Sequence, residues 1–273
     1  MTDTLTTNQS FSTNNTTSGK GVPGSTLKLI AIIAMFIDHT GAVILDRLLI
    51  SKGIMAFNFS SMDNFLEMVQ NGGILLFSYW IIRLIGRLGF PIFCFLLIEG
   101  FTHTRNVWNY ALRLLLFAFI SEVPFDLAFS GFLFANHYQN VFFTLFLGLC
   151  ALIAIKFIED KFAEINIIKY FLTGLATIVF MFIAYFLRTD YSYMGILTIV
   201  VMYLIRNNKT LEMTFGCIIL TAMSLTEVTA FFTIIPVSKY NGKRGLNMKY
   251  VFYAFYPVHL LVLYFIAYLM GLV

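Results

Sequence analysis

Charge is scarce in this sequence. Asp, Glu, Lys and Arg together make up 12% of the 273 residues, about half the share usual in soluble domains. So few charged groups do not cover a water-facing surface of ordinary size. The net charge of +4 is small and spread along the chain, which excludes the concentrated basic face of a nucleic-acid-binding protein. Cysteine is nearly absent: Cys94, Cys150 and Cys217 all fall in apolar runs, and none belongs to a CxxC pair. Neither a disulfide framework nor a zinc site is expected, and no metal; the three read as small buried thiols. The signatures GxSxG, HExxH, GxGxxG and the P-loop are missing. No internal repeat stands out, which weakens an inverted-repeat transporter reading.

What the chain has in quantity is apolar surface. Hydrophobic residues are 59% of it, with 31 Phe, and they lie in long runs. The expected fold is an all-α integral membrane protein, a polytopic bundle of about 8 (8–10) transmembrane helices in one domain over residues 27–273. Residues 1–26, rich in Thr, Ser, Asn and Gly, bury too little to offset the entropy of ordering and are expected to be disordered. Segments are expected at 27–50, 74–102, 109–129, 140–158, 167–187, 191–205, 210–237 and 249–271. Segment two, with Pro91 inside it, should be kinked or broken. Segment seven reads either as one tilted helix or as two half-spans. Lys and Arg counts place the N-terminus in the cytoplasm of a multi-pass cell-membrane protein. Eight single spans would then put the most basic loop, SKYNGKRGLNMK, outside, against the positive-inside rule.

Ionisable residues inside such runs are expensive and mark functional sites by default. The first segment, LKLIAIIAMFIDHTGAVILDRLLI, carries Asp38 and His39 at its centre. Arg83, Arg87, Glu99, Glu122, Asp126 and His259 complete the intramembrane set. Consecutive residues point about 100° apart on a helix, so Asp38 does not face His39. His39 therefore needs a partner from another helix, and Glu99 is one candidate; Asp38 can meet Arg83 or Arg87. Imidazole suits proton removal near neutral pH. Glu122 and Asp126 lie four apart, where like charges need a cation or a shared proton. Tyr256 and His259 flank Pro257 in FYAFYPVHL, and Tyr256 there also fits an aromatic belt. The YNGKRG loop combines turn chemistry with Lys243 and Arg244.

Six blocks taken in order, LKLIAIIAMFIDHTGAV, GRLGFPIFCFLLIEGFTHTRN, RLLLFAFISEVPFD, NVFFTLFLGL, YNGKRG and FYAFYPVHLL, resemble the TraX family. That family takes its name from the protein that acetylates conjugative pilin at its N-terminus, and the likeness covers roughly residues 27–271. It implies a membrane acetyltransferase that draws acetyl from cytosolic acetyl-CoA for an amine acceptor, a peptide N-terminus or a small amine. The family positions matched here are Asp38, His39, Arg87, Glu99, Glu122, Asp126, Lys243, Arg244 and His259. On this reading His39, Asp38 and Glu99 are catalytic. Lys243 and Arg244, with Arg87 and Arg83, meet the phosphates of coenzyme A, because guanidinium and ammonium groups suit phosphate oxygens. Glu122, Asp126, His259 and Tyr256 form a further polar set. The partners are acetyl-CoA, the acceptor and the lipid bilayer, with no nucleic acid. A proton-coupled transporter and a non-catalytic assembly protein are the alternatives.

Overall fold

Apolar runs in a bilayer have no water to satisfy their backbone, so they close their hydrogen bonds as helices. The computed structural model describes residues 21–54, 62–135, 137–246 and 249–273, and among these it contains helices and no strand. Helix α1 (Gly24–Thr40) continues through one π-turn, Gly41–Leu45, into α2 (Asp46–Ser51). Helices α3 (Met62–Gly86) and α4 (Gly89–His103) are separated by Arg87 and Leu88. Then follow α5 (Val107–Ser130), α6 (Val141–Lys161), α7 (Asn166–Phe186), α8 (Ser192–Leu204) and α9 (Lys209–Met223). A 3-10 helix, Leu225–Thr233, leads into α10 (Ile234–Ser238), and α11 (Lys249–Leu269) ends the bundle.

Five of these stretches are long and apolar enough to cross a membrane: Gly24–Ser51, Gly72–His103, Val141–Lys161, Asn166–Phe186 and Tyr250–Leu269. Ser192–Leu204 and Leu225–Ser238 are apolar but shorter. The multi-pass helical architecture is therefore the expected one, with five such spans among the described residues where about eight were expected. Part of the difference lies in segment seven. Its first leg, α9, has 15 residues and at 1.5 Å per residue reaches only about 22 Å, short of the roughly 30 Å hydrocarbon core. At Ser224 the backbone turns extended, and the 3-10 helix and α10 lead back. Lys209 Nζ at the start of the segment donates to Tyr240 O at its end, 3.0 Å away. Segment seven is thus a re-entrant hairpin with both ends on one face, here called the near face.

The near face also holds the start of α1. Val22 N donates to Lys239 O (2.9 Å), Gly24 N to Lys243 O (2.8 Å) and Ser25 N to Arg244 O (3.0 Å). This clasp gives order to residues 21–26, which the composition assigned to the tail, and α1 begins at Gly24 instead of 27. The rest of the expected disordered tail, residues 1–20, lies outside the described residues. The basic loop and the start of α1 thus share one face, and the conflict with the positive-inside rule disappears. On the far face Gln139 N donates to Arg188 O (2.9 Å) and Asp190 N to Gln139 O (2.8 Å), tying the loop before α6 to the loop before α8.

The break in segment two falls at Arg87–Leu88, ahead of Pro91. Pro91 sits in the first turn of α4, where a missing N–H breaks no helical bond. The core is built from α1, α4, α5, α6, α8 and α11, with Leu27, Phe95, Leu152, Ile199 and Leu260 fully buried. Helix α7 lies outermost, and Phe171, Ile178, Phe182 and Phe186 stay exposed on it, as a lipid-facing helix requires.

Candidate functional site

Asp38 and His39 lie at the end of α1, where the helix widens into the π-turn. Single π-turns inside α-helices are frequent at functional sites. Helix α3 crosses α1 here at close range. A Cβ on Gly86 would overlap the Asp38 carboxylate, and one on Gly41 would come within 2.8 Å of Ile82 and 3.3 Å of Arg83. Because both positions are glycine, Arg83 reaches Asp38: its NH1 donates to Oδ2 at 2.6 Å and to the Asp38 carbonyl at 3.4 Å.

Arg87 stands in the break itself. Its NH1 donates to Glu227 Oε1 at 3.0 Å, and Tyr191 lines the same cavity. Glu227 comes from the returning leg of the re-entrant hairpin, and its side chain is 1% exposed. The same leg closes the break from outside. A continuous helix would pair the Leu84 carbonyl with Leu88 N, but Leu88 N donates to Ile85 O at 3.3 Å. Thr229 Oγ1 donates to Leu84 O in its place, at 2.7 Å.

His39 Nδ1 lies 2.7 Å from His259 Nε2, with the rings nearly parallel at 7° and 5.0 Å between centroids. His259 Nδ1 lies 2.7 Å from the Phe255 carbonyl. A carbonyl oxygen only accepts, so Nδ1 of His259 carries that ring's proton and its Nε2 accepts. His39 must then donate from Nδ1, and in the neutral pair its Nε2 holds a free lone pair. The edges of Phe129 and Tyr256 pack on His39 at 5.4 Å and 5.9 Å and fix the ring.

These groups surround a cavity of about 140 Å³ lined by Asp38, His39, Arg83, Arg87, Gly89, Phe90, Phe129, Tyr138, Val141, Asp190, Tyr191 and Tyr256 among others. Three helices begin at its wall: α4 at Gly89, α6 at Val141 and α8 just past Tyr191. Helix N-termini carry partial positive charge. With two guanidiniums they make the cavity suited to negative charge developing on a reacting oxygen.

Of the residues singled out from sequence, Asp38, His39, Arg83, Arg87, Tyr256 and His259 come together here. Glu99 does not. It lies ten residues along α4 from Gly89, about 15 Å at 1.5 Å per residue, where it approaches His103 at 4.0 Å. His259 occupies the place expected of Glu99 beside His39. Glu122 and Asp126 take separate hydrogen-bond donors. Glu122 accepts from the Asn140 side chain at 2.5 Å and Asp126 from Ala135 N at 2.8 Å, so each holds part of the far-face loop to α5. Lys243 and Arg244 lie on the near face beside Ser25, thirteen residues and so roughly 20 Å along α1 from Asp38. Arg83 and Arg87 are therefore not part of one basic cluster with them. Glu227, Asp190 and Tyr191 escaped the sequence reading. For Glu227 the signal was there, a lone carboxylate in an apolar run; Asp190 and Tyr191 looked like ordinary turn residues.

Residues 23–267 match the family described as TraX protein. The chain is 29% identical to the "Probable fimbrial assembly protein FimC, serogroup H1" of Dichelobacter nodosus, covering 87% of this chain and 92% of that one. It is 23% identical to the "Uncharacterized protein RP591" of Rickettsia prowazekii (strain Madrid E), over 79% and 68% of the two chains. No solved structure matches it.

Proposed function

Because the chain belongs to the TraX family, we propose that it is an integral-membrane acetyltransferase that moves acetyl from acetyl-CoA to an amine, the N-terminus of a peptide being the acceptor class. The observation that carries this reading is the free Nε2 of His39, left unprotonated by its bond to His259 and facing a cavity with two arginines. The acceptor nitrogen attacks the thioester carbonyl and forms the amide bond. His39 Nε2 takes the proton that nitrogen sheds, His259 shares the resulting charge, and the C–S bond breaks. The proton then passes to the departing thiolate sulfur. Arg87, held by Glu227, and the amide end of α4 at Gly89 stabilise the carbonyl oxygen as it turns negative.

Coenzyme A approaches from the near face, taken as cytoplasmic from its Lys and Arg content, with its phosphates against Lys243 and Arg244. The acceptor enters under the far-face loops. The fimbrial-assembly name of one relative supports subunits of a surface fibre as the acceptor. The same name supports the second reading, an assembly factor without catalysis. Purified protein incubated with acetyl-labelled acetyl-CoA and a peptide amine separates the two. Acetyl-peptide and free coenzyme A should accumulate, and His39→Gln, which has no basic nitrogen, should lower turnover by about 10²–10⁴-fold. Turnover unchanged in His39→Gln would remove the base; no transfer by the wild type would favour the assembly factor.

A further inference from the structure

The charges around the cavity do not cancel. Arg83 is taken by Asp38 and Arg87 by Glu227, while Asp190 has no ion-pair partner among the described residues. Two guanidiniums thus face three carboxylates. Asp190 is nonetheless held with care. Its N–H donates to Gln139 O at 2.8 Å, its carbonyl accepts from Thr144 Oγ1, and its Oδ1 accepts from Tyr191 N at 3.0 Å. Arg188, Tyr191 and Ser192 around it take left-handed φ of 52°, 60° and 45°, a conformation that costs energy for residues with a Cβ. The strained turn keeps the carboxylate at the cavity wall that also holds His39, on the side of the far-face loops.

A peptide α-amine has a pKa of about 7.7–8.0 and is mostly cationic at neutral pH. A cation taken out of water is costly unless an uncompensated anion meets it. We infer that Asp190 is the binding subsite for the acceptor's ammonium group, and that it selects amines over hydroxyl acceptors. This rests on the acetyl-transfer reading for the identity of the acceptor. The ammonium must shed one proton before it attacks, and the Asp190 carboxylate is placed to take it. Burial pushes that carboxyl up to about 6, which eases the transfer. The second proton goes to His39 Nε2 as the amide forms and on to the thiolate sulfur, and Asp190 releases the first to water as the product leaves.

The test is binding, without turnover, to the purified full-length protein at pH 7. The probes are a short alanine-initiated peptide and its lactyl counterpart, in which a neutral hydroxyl replaces the amine. The wild type should prefer the amine by about tenfold or more, as for one partner of a desolvated charge pair. Asp190→Asn should bring that ratio close to one and leave acetyl-CoA affinity unchanged. Asparagine keeps an oxygen for Tyr191 N, so the turn survives; Asp190→Ser is a second uncharged variant with an acceptor oxygen. An amine preference equal in wild type and both variants overturns the inference, as does a wild type with no preference. Amine preference that depends on Asp190 in a protein that transfers no acetyl would sink the transferase reading alone.

Discussion

His259 governs the site without lining the cavity. Its bond to the Phe255 carbonyl decides which nitrogen of His39 is free, so its effect on catalysis is positional. His259→Phe should preserve the packing against Phe36 and Phe255 while freeing His39 to rotate and change tautomer. Turnover should fall by up to about 10²-fold, the scale of a misplaced reacting group, with the KM for acetyl-CoA unchanged; steady-state kinetics on the two substrates would show it. The sequence exposed both histidines, because each interrupts an apolar run. It did not expose their pairing. Their separation of 220 positions carries no spacing rule, and helical geometry says only that Asp38 and His39 face apart. Glu99 was one candidate, but the rise of α4 carries it about 15 Å from the cavity wall at Gly89.

At the scale of elements, the re-entrant hairpin decides where Arg87 points. The sequence left segment seven open, since its length suits one tilted helix as well as two legs. What settles it is Glu227, which as a buried carboxylate needs a cation, and Arg87, exposed by the break in segment two, is that cation. Glu227→Gln leaves a guanidinium half-paired in the membrane interior. It should cost about 3–5 kcal/mol, as for breaking a buried pair, read as a loss in denaturant midpoint. Arg87→Gln should cost a comparable amount, and the double variant clearly less than the two together. Strict additivity would mean that the two side chains act separately. Pro91 misled only slightly: it marked the right interruption but sits in the turn after it.

At the scale of the whole molecule, the near face gathers the start of α1, Lys209 and the YNGKRG loop, and the far face gathers the loops before α6 and α8. Asn241→Cys and Phe134→Cys should therefore report opposite sides. The native thiols give little background, since Cys94 and Cys217 are buried and Cys150 half-buried. An impermeant thiol reagent added to intact cells should modify Phe134→Cys and spare Asn241→Cys. Modification of both would refute the hairpin; modification of Asn241→Cys alone would keep it and reverse the orientation. Hydropathy made the bundle legible, but counting segments could not reveal a stretch that enters and leaves by the same face. That arrangement bears on how the protein is made. Both the His39–His259 pair and the Asn241 bond to the Gly21 carbonyl join residues 220 positions apart. At about 5–20 residues per second of synthesis, the ribosome needs roughly 10–45 s to supply the second half of each. The first helix must wait in the bilayer through that interval with its histidine unpaired and its first turn unclasped, and the site comes into being only when the last helix arrives.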